Sequence, residues 1–325
     1  MNYAWRLLCL SLASFFLVNA AVGLTTALLS RAAVRMAETM RPRSAARFLF
    51  AARMLACALG ASAVLGLCVP SYLWLEPQAS SERVGWACLT LALVAAAAWL
   101  GSLRRAAWAL AASVRLNRRW QQAGSETLLP GRSGRAVVLV KQGAPLLTLV
   151  GVFRPRLFAS ESVIRSLSAE QLDLAWQHEN AHGLSRDNLK RLFLLLAPAP
   201  IPFLGGCASL ERCWAKFSEW AADDEAVRGD SQRALALAAA LLRVARMGTA
   251  PRLSFLHTSL CAGDHDLSLR VERLLALRPP AAKPLSRARC LAFGASLGTA
   301  AGITVFLAWP ATLSSVHRLL ELFLR

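Results

Sequence analysis

The sequence predicts a mainly α-helical membrane protein, with four transmembrane helices and a cytoplasmic α+β domain, on three observations. Of its 325 residues, 56% are hydrophobic and only 17% are charged, a balance too apolar for a soluble chain. Charge is absent from Leu7 to Ser30, Met54 to Leu75, Val84 to Leu103 and Cys290 to Val316. Each stretch is long enough to cross a hydrocarbon core of about 30 Å as a helix. The interval between the third and fourth stretches instead mixes short apolar runs with helical periodicity, as a folded domain does. Secreted, disordered and wholly soluble proteins are thereby excluded.

Orientation follows from the loops. Arg31, Arg35, Arg41, Arg43 and Arg47 lie between the first two spans, whereas the loop from Ser71 to Arg83 sets one arginine against Glu76 and Glu82. The first loop is expected in the cytoplasm and the second outside. Arg104, Arg105, Arg115, Arg118 and Arg119 follow the third span, and Lys283, Arg287 and Arg289 precede the last. Both ends of the central region are therefore cytoplasmic and both termini external. A net charge of +18 would suggest nucleic acid binding in a soluble protein. Here it is topological, directed at the anionic lipid bilayer, and no direct nucleic acid binding is expected. A rival reading makes Met1 to Ala20 a cleaved signal peptide ending at Val18-Asn19-Ala20. The apolar run continues to Leu29, and cleavage would strand the first arginine cluster outside, so an uncleaved span is preferred. Cys9, Cys57, Cys68, Cys88 and Cys290 fall within the spans and no Cys-x-x-Cys occurs, which argues against disulfides and thiolate metal sites.

Three units are expected: 1–116 with three spans, a domain over 117–289, and 290–325 with the last span and a short tail. Arg104 to Leu116 should extend the third span as a helix at the membrane surface, and polar, turn-rich Gly124 to Gly134 should open the domain. Ala136 to Val140 and Leu146 to Val150 predict strands. Val152 to Ala159 predicts a third, interrupted at Pro155; a proline belongs on an edge strand or a bend, so part of this sheet is expected to have an exposed edge. Ser168-Ala169-Glu170-Gln171 is a capping box opening a helix that weakens at Gly183, and a second helix should begin near Ser185. Leu192 to Leu210 is uncharged, but Pro198, Pro200, Pro202, Gly205 and Gly206 break it, so a re-entrant or interfacial hairpin is expected rather than a fifth span. Helices over Leu210 to Arg228, Ser231 to Met247 and Leu267 to Leu277 complete the domain.

His178-Glu179-Asn180-Ala181-His182 is an HExxH pattern, whose i, i+4 spacing puts both imidazoles on one helix face, as two zinc ligands require. Glu179 is rotated about 100° from His178, so it can reach a water beside the metal without ligating the ion itself and serve as the base. The plain alternative is a helix that carries two histidines four apart by chance. Catalytic zinc needs a third protein ligand. Glu219 and Asp223, also i, i+4, have the spacing of a glutamate ligand backed by an aspartate that orients a histidine, with Ala215 and Ala222 leaving room for the HExxH helix. A solvated acidic face, which Asp224 and Glu225 would share, is the alternative.

The segments Trp176 to Leu189 and Glu219-Trp220-Ala221-Ala222-Asp223 together resemble the BlaR/MecR-type membrane metallopeptidases, a gluzincin group. Gly151-Val152-Phe153-Arg154-Pro155-Arg156-Leu157 and Leu269 to Leu275 resemble further segments of these proteins, and three spans before with one after extend the resemblance over nearly the whole chain. It implies a zincin-like metallopeptidase domain in a bacterial inner membrane. It implies that His178, His182 and Glu219 bind Zn2+, that Glu179 is the catalytic base, and that Asp223 and Asp187 match the family's aspartates, although Asp187 could instead cap the next helix. The edge at Val152, Phe153 and Arg154 would pair with an extended substrate. In the family, cleavage typically inactivates a cytoplasmic transcriptional repressor, and that is the protein substrate the resemblance suggests. Family members that sense antibiotics carry an extracellular sensor domain after the last span. Only Ala311 to Arg325 stand there in this sequence, which argues against β-lactam sensing. The alternative function is a non-catalytic membrane receptor or scaffold that keeps the fold; an intact Glu179 weighs against it. His257 and His265 are expected to be surface or structural residues.

Overall fold

A computed structural model of the chain describes residues 3–75, 84–128, 136–141, 147–199, 206–248, 257–259, 264–276 and 313–319. The first three charge-free runs are largely helical. Helix α1 (Tyr3–Leu28) is followed after Leu29 by α2 (Ser30–Glu38), a short helix where a basic loop was expected. Arg41 is extended and Pro42 opens α3 (Pro42–Ala63), because a residue before proline avoids the helical region while proline itself suits the first turn. A π-turn over Val64–Cys68 leads into α4 (Val69–Leu75). Its cause is Pro70, which donates no hydrogen bond and whose ring crowds the carbonyl four residues back.

Helix α5 (Trp86–Ala123) has 38 residues, about 57 Å at 1.5 Å per residue, nearly twice a hydrocarbon core. The expected extension beyond Leu103 is therefore continuous with the span. Among the described residues, three helices are long and apolar enough to cross a membrane: α1, the α3–α4 run and α5. The fourth expected span lies outside the described residues up to 312. Its last residues fall in 313–319, which is helical, and Ser71 Oγ donates to the Leu313 carbonyl at 3.0 Å.

Strands β1 (Ser125–Leu128), β2 (Ala136–Val140), β3 (Leu147–Val150), β4 (Arg156–Ser160) and β5 (His257–Ser259) form one sheet in the order β1-β2-β4-β3-β5. Strands β2 and β4 run parallel, with Val138 opposite Phe158, and the other pairs are antiparallel. Two expectations change here. The strand read from Val152 begins only at Arg156, because Val152 to Arg154 are bent. It is also the middle strand, paired with β3 from Arg156 and with β2 from Phe158 onward, so it is not an edge strand, and only Arg156 and Leu157 lack a β2 partner. Proline at 155 stands just before the strand, where its missing N–H breaks no ladder.

Side chains alternate between two buried faces of this sheet. Phe158, Val138, Val140 and Val150 pack on Trp120 of α5, with the Trp120 and Phe158 rings 5.2 Å apart. Leu147, Leu149, Leu157 and Ala159 face the main core, which explains why these strands read as continuous apolar runs. That core is completed by helices following β4: α6 (Glu161–Ser166), α7 (Ala169–Ser185), α9 (Gly206–Val227), α10 (Ser231–Arg246) and α11 (Asp264–Leu275), while α8 (Asp187–Leu196) packs Leu192 against Ala106 and Ala109 of α5. Helices α8 and α9 are separate, as the prolines in Leu192 to Leu210 require. Helix α9 ties the domain to the membrane helices. Its Leu210, Trp214 and Phe217 bury against Ala37, Ala45, Ala46 and Leu49. Arg53 of α3, buried, donates through Nε to Glu211 at 2.7 Å and through Nη2 to the Ala197 carbonyl at 3.5 Å.

Candidate metal centre

Helix α7 begins with the expected capping box: Ser168 accepts from the Gln171 N–H, and the Gln171 side chain accepts from the Ser168 N–H. Three turns later His178, Glu179 and His182 face inward and are fully buried. The helix ends at Arg186, whose φ of 54° is left-handed, a conformation costing a non-glycine residue roughly 1–2 kcal/mol. That one residue turns the chain so that Asp187, first in α8, swings back under α7.

The second half of the site comes from α9. Glu219 and Asp223 lie one turn apart on the face that meets α7, and both are buried. Ala222 is buried between them as expected, whereas Ala215 packs with the α2–α3 cluster and makes no room for α7.

Three potential ligand side chains converge. His178 Nε2 and His182 Nε2 are 3.2 Å apart. Glu219 Oε2 is 3.4 Å from His178 Nε2, and Glu219 Oε1 is 3.6 Å from His182 Nε2. Atoms held about 2.0–2.1 Å from a tetrahedral ion lie about 3.3–3.4 Å from one another, close to the separation of the two Nε2 atoms and to that of each from its nearer Glu219 oxygen. His178, His182 and Glu219 are thus a buried group able to hold a metal ion.

Each imidazole has an aspartate behind it. His178 Nδ1 stands 2.9 Å from Asp223 Oδ1, and His182 Nδ1 stands 2.8 Å from Asp187 Oδ2. This pairing sets which ring nitrogen faces the centre. The cap position of α8 is taken by Arg186, and Asp187 stands inside its first turn. Asp187 accepts from Ser218 Oγ at 2.6 Å and from Lys190 Nζ at 2.9 Å, so of its two expected roles the orienting one is the one its contacts describe.

The electrostatics follow from four carboxyl groups, Glu179, Asp187, Glu219 and Asp223, gathered around two cationic side chains, Lys190 and Arg270. Burial pushes the His182 pKa down, but the Glu219 and Asp187 carboxylates outweigh it and raise the ring to about 10. His178 is raised in the same way, with burial opposed by Asp223 and Glu219. Burial pushes the carboxyl groups up, yet Asp223 is drawn down to about 2 by Arg270 and His178, and Asp187 to about 2 by His182 and Lys190. Glu219 is held well below the usual range against its burial by the two histidines and Arg270. A pocket this acidic attracts positive charge, which protons on the imidazoles or a dication can supply.

Two clefts lead toward the group. One, of about 320 Å³, lies between α7 and the sheet and is lined by Trp176, Glu179, Asn180, Val137, Arg156 and Leu157. The second, of about 290 Å³, is lined by Val152, Phe153, His182, Asp187 and Asn188 among others. Of the residues expected to bind substrate, Val152 and Phe153 thus border a cleft that also touches His182, while Arg154 is exposed on the bend. None of the three lies in a strand. Asn188 shapes this bend by donating to the Leu149 and Gly151 carbonyls at 3.2 and 2.9 Å.

Arg270 of α11 was not identified from sequence, although it contacts His178, Glu219 and Asp223. The available signal was an arginine beside the apolar face that Leu267, Val271 and Leu274 form on an amphipathic helix. The side chains of His257 and His265 lie outside the described residues. No protein-family model matches this chain, and no curated protein matches it.

Proposed function

We propose that the chain is an integral membrane zinc endopeptidase of the gluzincin type, similar to the BlaR/MecR membrane metallopeptidases, which hydrolyses a peptide bond in a cytoplasmic or membrane-adjacent protein. A transcriptional repressor is the substrate class the resemblance favours. One observation carries the proposal: the HExxH imidazoles and the Glu219 carboxylate converge within 3.2–3.6 Å, while Glu179, next to the first ligand, borders a cleft of about 320 Å³.

His178, His182 and Glu219 would hold the ion. Bound there, zinc supplies Lewis acidity to the scissile carbonyl and to the attacking water. The same donors also suit non-haem iron, and Glu179 is what favours zinc, since hydrolysis needs a carboxylate beside the site to move a proton. Glu179 takes a proton from the water as it adds to the carbonyl carbon, then delivers it to the amine nitrogen as the C–N bond breaks. Asp187 and Asp223 keep both imidazoles aimed, and the walls of Leu157, Val137 and Trp176 exclude bulk water.

The domain is proposed to face the cytoplasm, on the arginines that flank its end of the helices. Trp74 and Trp86, both strongly exposed, mark the opposite end of the bundle, as interfacial tryptophans do. A fourth span leading from α11 into 313–319 accords with two contacts: α11 touches the metal-binding group through Arg270, whereas Leu313 meets Ser71 in α4, toward the far end of the α3–α4 run.

The test compares wild type with Glu179→Gln, which keeps shape but removes the proton acceptor. Cells expressing each form are followed by mass spectrometry for cleavage of cytoplasmic proteins, and the purified proteins are analysed for metal. Metal should stay at about one zinc per chain while cleavage falls by about 10²–10⁴-fold. Equal cleavage patterns, or a downstream response unchanged in the variant, would favour the non-catalytic receptor instead.

A further inference from the structure

Arg270 is 3% exposed and reaches across from α11 to α9 with three nitrogens. Its Nε and Nη2 donate to Asp223 Oδ2 and Oδ1 at 2.9 and 2.7 Å, and its Nη1 lies 3.2 Å from Glu219 Oε2. Nη2 also lies 3.4 Å from His178 Nε2. The helix that carries it has its own anchorage, because Val271 and Leu274 are buried in the core that α10 contributes Leu237 and Leu241 to. One turn on, Arg273 pairs with Asp224 and lies over the Trp220 ring, so α11 grips α9 twice, once at the metal-binding group and once outside it.

We propose that Arg270 is a positioning residue of the metal centre, which fixes the Asp223 carboxylate that orients His178 and holds one oxygen of Glu219 so that the other is presented to the ion. This rests on the metal site proposed above. The planar guanidinium is what the geometry demands. Asp223 Oδ1 is shared between Arg270 and His178 Nδ1, so the angle at which it meets the imidazole depends on the carboxylate being held by both oxygens, which a fork does and a point charge does not. Glu219 Oε2, engaged by Nη1, is likewise restrained from turning both oxygens toward the same ion.

Charge alone predicts the opposite effect. A fixed cation this close to the ligands repels a dication, so if Arg270 acted only through its charge, removing it would strengthen metal binding. A merely structural role, neutralising Asp223 and pinning α11 to α9, would change stability and leave affinity alone. Geometry, charge and stability therefore give three different outcomes.

Full-length wild type, Arg270→Lys, Arg270→Met and Arg273→Met are purified in detergent and stripped with chelator. Zinc affinity is measured by chelator competition, the ligand field by the visible spectrum of the cobalt-substituted protein, and folding by thermal unfolding. Wild type and Arg273→Met should bind alike. Arg270→Met and Arg270→Lys should both bind about 10–100-fold more weakly, the usual loss when an orienting partner of a ligand is removed, with a changed cobalt spectrum. The proposal is overturned if Arg270→Lys matches wild type while Arg270→Met binds more tightly, or if either variant unfolds earlier yet keeps wild-type affinity and spectrum. If Arg270→Met does not fold, Arg270→Lys, which keeps charge and most of the length, decides alone. Wild type that binds neither zinc nor cobalt would sink the metal site itself, which separates that failure from a failure of Arg270.

Discussion

His182 Nδ1 and Asp187 Oδ2 are 2.8 Å apart across a single left-handed residue, Arg186. This partner is almost built into the local chain: helix end, reversal, aspartate. The equivalent partner of His178 comes from Asp223, on another helix. The centre therefore has one imidazole oriented by its own connection and one oriented by packing between α7 and α9.

That asymmetry predicts different consequences for the two aspartates. Asp223→Ala and Asp187→Ala should each weaken metal binding about 10–100-fold. Asp223→Ala should also destabilise the domain more, because it leaves buried Arg270 short of its main counter-charge, and breaking a buried ion pair from one side costs about 3–5 kcal/mol. Lys190, opposite Asp187, is partly exposed and can turn to water. Thermal unfolding of both stripped variants checks the order, and equal losses would refute it.

Metal binding should release protons. His182 is raised to about 10, so without metal it is charged at neutral pH, yet only a neutral imidazole ligates. Affinity should rise about tenfold per pH unit for each proton displaced, up to about pH 10. Stability of the stripped protein should move the other way. A raised pKa adds stability in full below the unfolded histidine value of about 6.5, and that contribution is lost as pH climbs toward 10. Calorimetry in buffers of different ionisation enthalpy measures the released protons; a count of zero at pH 7 would contradict the charged state of His182.

Close backbone contact at the start of α9 predicts a steric sensitivity. A Cβ at Gly206 would lie 2.6 Å from the Ala27 Cα and 2.8 Å from its carbonyl oxygen, atoms of main chain that cannot swing aside. Gly206→Ala should lower the thermal midpoint in detergent by separating α9 from α1. Gly66→Ala, where a Cβ meets nothing within 4 Å, serves as the control and should not.

Sidedness can be read by labelling. In a background freed of native cysteines, Trp86→Cys, at a position 83% exposed, should react with a membrane-impermeant thiol reagent in intact cells. Ser231→Cys, at the exposed start of α10, should react only after the membrane is opened. The reverse pattern would place the metal-binding group outside.

Much of this protein is determined within short stretches of its sequence. A helix in lipid must bury its backbone polar groups within itself, so uninterrupted apolar runs alone locate α1, the α3–α4 run and α5. The convergence of His178 and His182 needs only 3.6 residues per turn, and the start of α7 only the reciprocal bonds of Ser168 and Gln171. What lay beyond local reading depends on contacts between distant residues. Ser125 to Leu128 looks like a polar turn and becomes a strand because β2 offers it a ladder. Val152 to Ala159 reads as a strand interrupted at Pro155, and its second half, Arg156 to Ser160, becomes the centre of the sheet because β2 and β3 both close on it. Asp187 could cap a helix or orient a histidine, and Ser218, 31 residues away, helps hold it against His182. Arg270 is one arginine among many until α11 docks. Helical period and hydropathy are set by neighbours along the chain, whereas strand order and the partners of a buried charge are set by which surfaces meet, and only the folded chain decides that.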